Sequence, residues 1–257
     1  MLSIKDRIQV AWITGAGNGI GRQLAKDLAK NGYAVAVTSR TEEDLISLQD
    51  EVKDLAGDIH LFPCDITDLK KIETLVENIQ TDLGPIDLAI LNAGTYIRFG
   101  VENFSVKLFK EQIEINVMGT VNCLSPVMDS MKSRHQGHIV VVSSLTAYRG
   151  LPYASAYGAS KAALTNMSES LKPELDVFNE KLSIVHPGFV RTPLTDKNKF
   201  DMPFLVDTPY ASKRILLGID SGQFEIAFPS MFALITKFLR SMPYLLYFAA
   251  TRRLVKK

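Results

Sequence analysis

Residues 8–14 read IQVAWIT, a near-continuous apolar run of strand length. A strand of that kind belongs in a parallel sheet covered on both faces. Runs of similar length recur at 33–39, 59–64, 86–92, 138–144, 182–186 and 224–228. Between them lie stretches with helical period. One spans 20–30 and stops at Asn31-Gly32; another opens at Thr41, with Asp44 completing an approximate capping box. A longer helix is expected through 111–125, bent or ended by Pro126. Strand–helix alternation repeated six times means βαβ units with right-handed crossovers. The expected fold class is therefore α/β, a doubly wound parallel sheet with helices on both faces. Such sheets bind their ligands beyond the carboxyl ends of the strands.

Composition agrees with that reading and removes other classes. A hydrophobic content of 46% supports an ordinary buried core and excludes a disordered or collagen-like chain. With no internal repeat and no low-complexity linker, residues 1–257 are expected to form a single domain, 229–257 being an apolar and basic helical extension. A net charge of +1 argues against a nucleic-acid partner, which would need a basic surplus. The opening MLSIKDRIQV lacks the pattern of a secretory leader, and Cys64 and Cys123 form no disulfide framework, so a cytoplasmic setting is expected. His60, His135, His138 and His186 lack the acidic or thiol company of a metal site, so no metal is expected.

Between the first strand and the first helix stands Thr14-Gly15-Ala16-Gly17-Asn18-Gly19-Ile20-Gly21. Glycines there allow a tight turn and the close approach of a diphosphate, met by amides at the helix N-terminus. The spacing differs from the common G-x-G-x-x-G pattern. Gly15, Asn18, Gly19, Ile20 and Gly21 are the candidate cofactor-binding residues of this turn. NAD enzymes usually place an acid about 20 residues further on to bond the ribose hydroxyl. Here the second strand ends in Ser39 and Arg40: the serine leaves room for a 2′-phosphate, and the guanidinium can pair with it. NADP(H) is accordingly favoured over NAD(H), the alternative being a solvated Arg40 near Glu42, Glu43 and Asp44.

Tyr157 and Lys161 stand four residues apart, one above the other on a helix face. A free phenol titrates near about 10, and a neighbouring ammonium is expected to lower that value. Alone the pair is weak, because chance supplies such spacings in a chain with this many tyrosines and lysines. Its setting adds weight. Ser143 and Ser144 end an apolar strand, and Asn92-Ala93-Gly94 ends another, where a small turn could border an adenosine. Asn116 falls mid-helix, a position where asparagine needs a reason, whether a role in the site or burial alone.

Taken together these residues resemble the short form of the short-chain dehydrogenase/reductase superfamily over about residues 7–228. The motifs TGAGNGIG, CDI, NAG, INVMG, VVVSS, YGASK and PGFVRT occur in the family's order. The resemblance implies a Rossmann-type sheet of seven parallel strands. It implies Tyr157 as the general acid in carbonyl reduction and the base in the reverse direction, with Ser144 bonding the same oxygen. Lys161 would lower the Tyr157 pKa and hold the nicotinamide ribose, and Asn116 would anchor a water in the proton relay. By the same resemblance Asp65 and Ile66 contact adenine, Asn92, Ala93 and Gly94 border the cofactor, and Pro187, Gly188, Val190 and Thr192 orient the nicotinamide amide. A homodimer or homotetramer would be usual. Three positions depart from the pattern: Leu91 before NAG, His186 where asparagine is frequent, and Pro173, which interrupts the helix the family uses at its subunit interface.

The chain between Thr192 and Thr208 corresponds to the family's substrate lid, and 202–206 (MPFLV) is apolar. Tyr96, Ile97 and Phe99 could line the same cleft, which suggests an apolar or long-chain carbonyl or alcohol substrate; core cover is the other reading. In the tail, Met231, Leu234, Ile235, Phe238 and Met242 keep helical spacing beside Lys237 and Arg240. The longest uncharged stretches are too short to span a bilayer. Such a helix suits a membrane surface, and equally a partner subunit or a roof over the cleft; burial against protein is favoured. The leading reading is an NADP(H)-dependent carbonyl reductase or alcohol dehydrogenase. Alternatives are a non-enzymatic NADP-binding regulator and a membrane-peripheral protein working through its tail.

Overall fold

In the computed structural model residues 8–197 and 200–255 are described. The apolar runs form β1 (Val10–Thr14), β2 (Ala34–Thr38), β3 (Ile59–Leu61), β4 (Ile86–Leu91), β5 (His138–Val142), β6 (Lys181–Pro187) and β7 (Glu225–Phe228). They make one sheet in the order β3-β2-β1-β4-β5-β6-β7, parallel throughout. The winding reverses between β1 and β4, which opens a crevice at their carboxyl ends.

Alternation within each strand sorts the core into two layers. Ala11, Ile13, Val35 and Val37 face α1 (Gly19–Lys30), α2 (Glu42–Glu51) and α7 (Thr208–Asp220) through Leu24, Leu28, Leu45 and Ile215. Val10, Trp12 and Val141 face α3 (Leu69–Leu83), α5 (Gly119–Arg134) and α6 (Ser155–Val177) through Ile72, Ile79, Val127 and Leu164. Trp12, buried as expected, also donates its indole N–H to the Thr38 hydroxyl at 2.9 Å.

The helices correct several expectations. The stretch expected as one helix over 111–125 is α4 (Val106–Ile113), a π-turn (Glu114–Met118) and then α5, which runs through Pro126. An internal proline costs about 3 kcal/mol. Burial of Cys123, Leu124, Val127 and Met131 on that helix returns roughly 1.5–3 kcal/mol for each large side chain, so the helix continues. Pro173 likewise lies inside a continuous α6, whose last turn is held by buried Leu175. No capping box forms at Thr41: its side chain bonds no amide, and Glu42, Glu43 and Asp44 meet the positive end of the α2 dipole instead.

After β7 the tail folds into α8 (Ser230–Ser241) and α9 (Tyr244–Thr251). The face chosen by spacing is not the packed one. Ala233, Thr236, Tyr247 and Thr251 are buried, whereas Met231, Leu234, Ile235 and Phe238 are exposed and Met242 only partly covered. No helix among the described residues is long and apolar enough to cross a membrane. Lys256 and Lys257 lie outside the described residues.

Two sheet histidines are buried. His138 bonds the Ser183 hydroxyl at 2.8 Å and His186 the Thr165 hydroxyl at 3.0 Å. Burial pulls both pKa values down to about 4, with neighbouring lysines adding to the shift at His138. Both rings are therefore neutral in the folded chain and must release a bound proton on folding below the unfolded value of about 6.5. The stability they contribute is present above that pH and lost as pH falls toward 4. By pH 5 the loss is about 2 kcal/mol for each ring. A melting series between pH 7 and pH 5 should show this decline, and His186→Asn should reduce it by about half, the His138 part remaining.

Candidate active site

The turn after β1 is shaped by two left-handed glycines. Gly15 (φ 67°) packs so close to Ala93 that a Cβ would lie 2.7 Å from the Ala93 Cα, and a Cβ on Gly19 (φ 59°) would lie 3.0 Å from the Thr192 methyl. Asn18 precedes α1 without bonding any of its amides, and the first turn of that helix holds no acid. Its N-terminal N–H groups therefore open onto the crevice unpaired by side chains, as an anion site requires. Opposite, Asn92 donates through its amide to the carbonyls of Thr14 and Gly15, both at 3.1 Å. The Thr14 hydroxyl accepts from the N–H groups of Asn92 and Ala93.

These pieces border a cleft of about 360 Å³ that also takes in Ile20, Ser39, Arg40, Asp65, Ile66, Gly94 and Thr192. Arg40 is exposed and makes no ion pair or hydrogen bond among the described residues, so it is not spent on the neighbouring acids. One oxygen of Asp65 accepts from the N–H and hydroxyl of Thr67, at 3.0 and 2.9 Å. Sequence reasoning passed over Asp44, Thr95 and Lys197, which line the same cleft. Asp44 read there as part of a helix start and as a neighbour of Arg40, and Lys197 belonged to a loop without periodic signal.

Gly21, by contrast, lies behind the cleft, where a Cβ would meet the Gly15 carbonyl oxygen at 2.3 Å. Pro187 closes β6 and accepts from the Ser144 hydroxyl at 3.5 Å. Gly188 packs under Phe232, and Val190 is buried and bridges to Val206. The residues assigned to nicotinamide thus shape the floor and wall of the site, and only Thr192 among them borders the cleft itself.

Asn116, Ser144, Tyr157 and Lys161 converge at the inner end of the cleft. The Asn116 amide accepts from Thr95 N–H at 2.7 Å, and it donates to the Thr95 carbonyl and the Ser160 hydroxyl at 3.0 Å each. That side chain is fully used as a strut between the turn after β4 and α6, which explains an asparagine inside a helical run. A Cβ on Gly94 would lie 3.2 Å from Asn116 Oδ1 and 3.4 Å from Lys161 Nζ, so the three meet at one point. Lys161 is buried, and its ammonium donates to the Val142 carbonyl at 2.8 Å. Ser143 is turned away onto the Lys161 carbonyl at 2.9 Å, which leaves Ser144 as the hydroxyl facing Tyr157.

Tyr157 packs edge-on against Tyr96, ring centroids 5.0 Å apart. Desolvation pushes its phenol up to about 12 against an opposing hydrogen bond from Ser144. Desolvation also draws Lys161 down to about 8. The expected lowering of Tyr157 by Lys161 is thus overridden: water exclusion acts on both groups in favour of their neutral forms. The ammonium stands 5.8 Å from the phenol ring centroid and is held on a backbone carbonyl.

Aromatic side chains cluster where the segment after β6 meets α8. Arg98 stacks over Tyr153 at 4.1 Å and Phe200 at 5.5 Å. Phe189 meets Phe200 and Phe232, and Phe232 stacks on Phe204 at 5.6 Å. Of the residues expected to line the substrate cleft, Tyr96 takes its place against Tyr157, and Phe99 is buried against Phe104.

A family model described as short chain dehydrogenase matches residues 9–202. An oxidoreductase of Myxococcus xanthus is 36% identical over 249 residues, spanning 96% of this chain and 97% of the relative. An actinorhodin polyketide ketoreductase with NADPH superposes with a TM-score of 0.77 at 25% identity, over 86% of this chain and 95% of that one. A short chain dehydrogenase/reductase of Burkholderia phymatum in complex with NAD superposes with a TM-score of 0.82 at 21% identity, over 91% and 93% of the two chains. This last likeness concerns the fold.

Replacing Asn116 by alanine would orphan the Thr95 N–H and carbonyl and loosen Ser160, whose hydroxyl also bonds the Tyr157 carbonyl at 2.7 Å. Urea denaturation should show a loss of roughly 2–4 kcal/mol for Asn116→Ala.

Proposed function

The chain belongs to the short-chain dehydrogenase family, NAD(P)-dependent oxidoreductases, and from that premise we propose an NADP(H)-dependent carbonyl reductase or alcohol dehydrogenase with an apolar substrate. The observation that carries the reading is the hydrogen-bonded pair of Ser144 and Tyr157 hydroxyls beside the buried Lys161 ammonium, at the inner end of the crevice.

The crevice fits a dinucleotide: the unpaired N–H groups of α1 suit a diphosphate, and the floor around Gly15 and Gly19 has no room for side chains. In this reading Asn18, Gly19 and Ile20 hold the diphosphate, Asp65 and Ile66 the adenine, Asn92, Ala93 and Gly94 the adjoining sugar, and Thr192 the far end. When bound, the nicotinamide supplies or takes the hydride. The chain's own part is proton management. Tyr157, with a pKa near 12, keeps its proton at neutral pH and can donate it from Oη to a carbonyl oxygen. The Ser144 hydroxyl, fixed by the Thr146 N–H, orients that oxygen. The Lys161 charge then steadies the phenolate, at close range and away from water.

NADP(H) over NAD(H) rests on Ser39 and Arg40. The open Arg40 guanidinium at the cleft edge is placed to pair with a 2′-phosphate, and no acid ends β2. Two acids border the cleft, Asp65 beyond β3 and Asp44 on α2, where Asp44 and Ser39 both lie beside Gly17. An apolar substrate is supported by the cluster of Phe189, Phe200, Phe204 and Phe232, which packs on Gly188 through Phe232.

Two variants test the reading against a chain-length series of ketones and aldehydes. Tyr157→Phe should lower turnover by about 10²–10⁴-fold while NADPH still binds. Arg40→Ala should raise KM for NADPH by roughly tenfold or more and leave NADH kinetics almost unchanged. Silence of the wild-type chain across the whole series, with NADPH bound tightly, would favour the regulator over the enzyme.

A further inference from the structure

The two tail helices have one face in the protein and one exposed among the described residues. Inward, Phe232 stacks on Phe189 and Phe204, and Ala233 packs on Leu145 and Tyr148. The guanidinium of Arg149 closes the end of α8 by donating to the carbonyls of Leu239, Arg240 and Met242. It also lies over the rings of Tyr244 and Tyr247, at 4.8 and 4.0 Å. Tyr247 donates to the Gly150 carbonyl, and Lys237 pairs with Glu225. The helices are thus fastened to the segment that joins Ser144 to Tyr157.

Outward, Met231, Leu234, Ile235 and Phe238 form an i, i+3, i+4, i+7 stripe on α8. Tyr244, Leu245 and Phe248 extend it on α9. Phe238 is 65% exposed and Leu245 82%. Of the 22 large apolar residues exposed among those described, ten fall between 231 and 255, so the exposure is concentrated and not scattered. The charge of the same segment has one sign. Residues 229–257 hold Lys237, Arg240, Arg252, Arg253, Lys256 and Lys257 and neither Asp nor Glu. Arg240, Arg252 and Arg253 are exposed.

We propose that α8 and α9 form an interfacial docking surface for an anionic lipid bilayer, which they meet side-on with the cleft mouth at the membrane surface. An apolar face accompanied by exposed arginines, in a segment without a carboxylate, matches an acyl layer beneath anionic headgroups. At 12 and 8 residues the helices are too short to span and suited to lie flat. A second copy matches less well: two-fold pairing of this face would set each arginine group near its own image, with no carboxylate in the segment to separate them. Because Phe232 belongs to the docking helix and to the aromatic cluster, an apolar substrate leaving the bilayer would enter along α8. The docking itself does not depend on the reaction proposed above.

The experiment floats the full chain with vesicles of phosphatidylcholine alone and of phosphatidylcholine mixed equally with phosphatidylglycerol. The chain should rise with the mixed vesicles and far less with the neutral ones, and strong salt should weaken the effect. The double variant Phe238→Glu/Leu245→Glu should reduce the bound fraction at least about tenfold. Its melting temperature and NADPH binding should stay as in the wild type, both side chains being in solvent. Arg252→Glu/Arg253→Glu should abolish the preference for phosphatidylglycerol. A wild-type chain that stays below both vesicle bands overturns the proposal. So does a lipid-free dimer that the Phe238→Glu/Leu245→Glu change splits into monomers.

Discussion

The site depends on how the ends of β1 and β4 are held at the point where the sheet reverses its winding. Strands there lose their next backbone partner, and Thr14 and Asn92 take its place with four hydrogen bonds across the gap. This knot fixes the glycine turn on one side and the Asn92-Ala93-Gly94 turn on the other. Gly94 in turn lies under Asn116 Oδ1 and Lys161 Nζ, so the position of the lysine is referred back to the same two residues. Each link is a buried polar group with a satisfied partner, and removing one member would leave the others desolvated and unpaired.

A second chain of polar contacts runs beneath the reacting groups. Lys161 gives its ammonium to Val142, its carbonyl receives the Ser143 and Thr165 hydroxyls, and Thr165 meets His186. All of these groups are buried, which explains the direction of every large shift there. Phenol, ammonium and imidazole are each driven toward their uncharged forms by the same desolvation. A proton donor that holds its proton firmly, next to a lysine drawn toward neutrality, follows from burial before any ligand is considered.

Strand positions were legible because a strand covered on both faces must be apolar at nearly every residue, as in 138–142. Other features were hidden for identifiable reasons. Proline is read locally, but Pro126 and Pro173 sit in helices kept going by tertiary burial of Leu124, Val127 and Leu175. Asn116 gave a signal, an awkward residue in a helical run; the answer, a strut to Thr95 and Ser160, needed contacts 21 and 44 residues away. The tail misled most. Its best apolar period marks the exposed side, because periodicity reports that a face is apolar and not what covers it. The cleft-lining Lys197 carries no pattern at all.

Arg149 closes a helix that begins 81 positions after it, as 149 and 230 count, while sitting between Ser144 and Tyr157 in the chain. The two tail helices are for that reason not an appendage. A chain stopped at the end of β7 would uncover Leu145 and Tyr148, leave the Arg149 guanidinium without acceptors, and bare the packing beside Gly188. Packing and hydrogen bonds thus tie the tail to the segment beside the reaction centre, and a shortened chain reports on both at once.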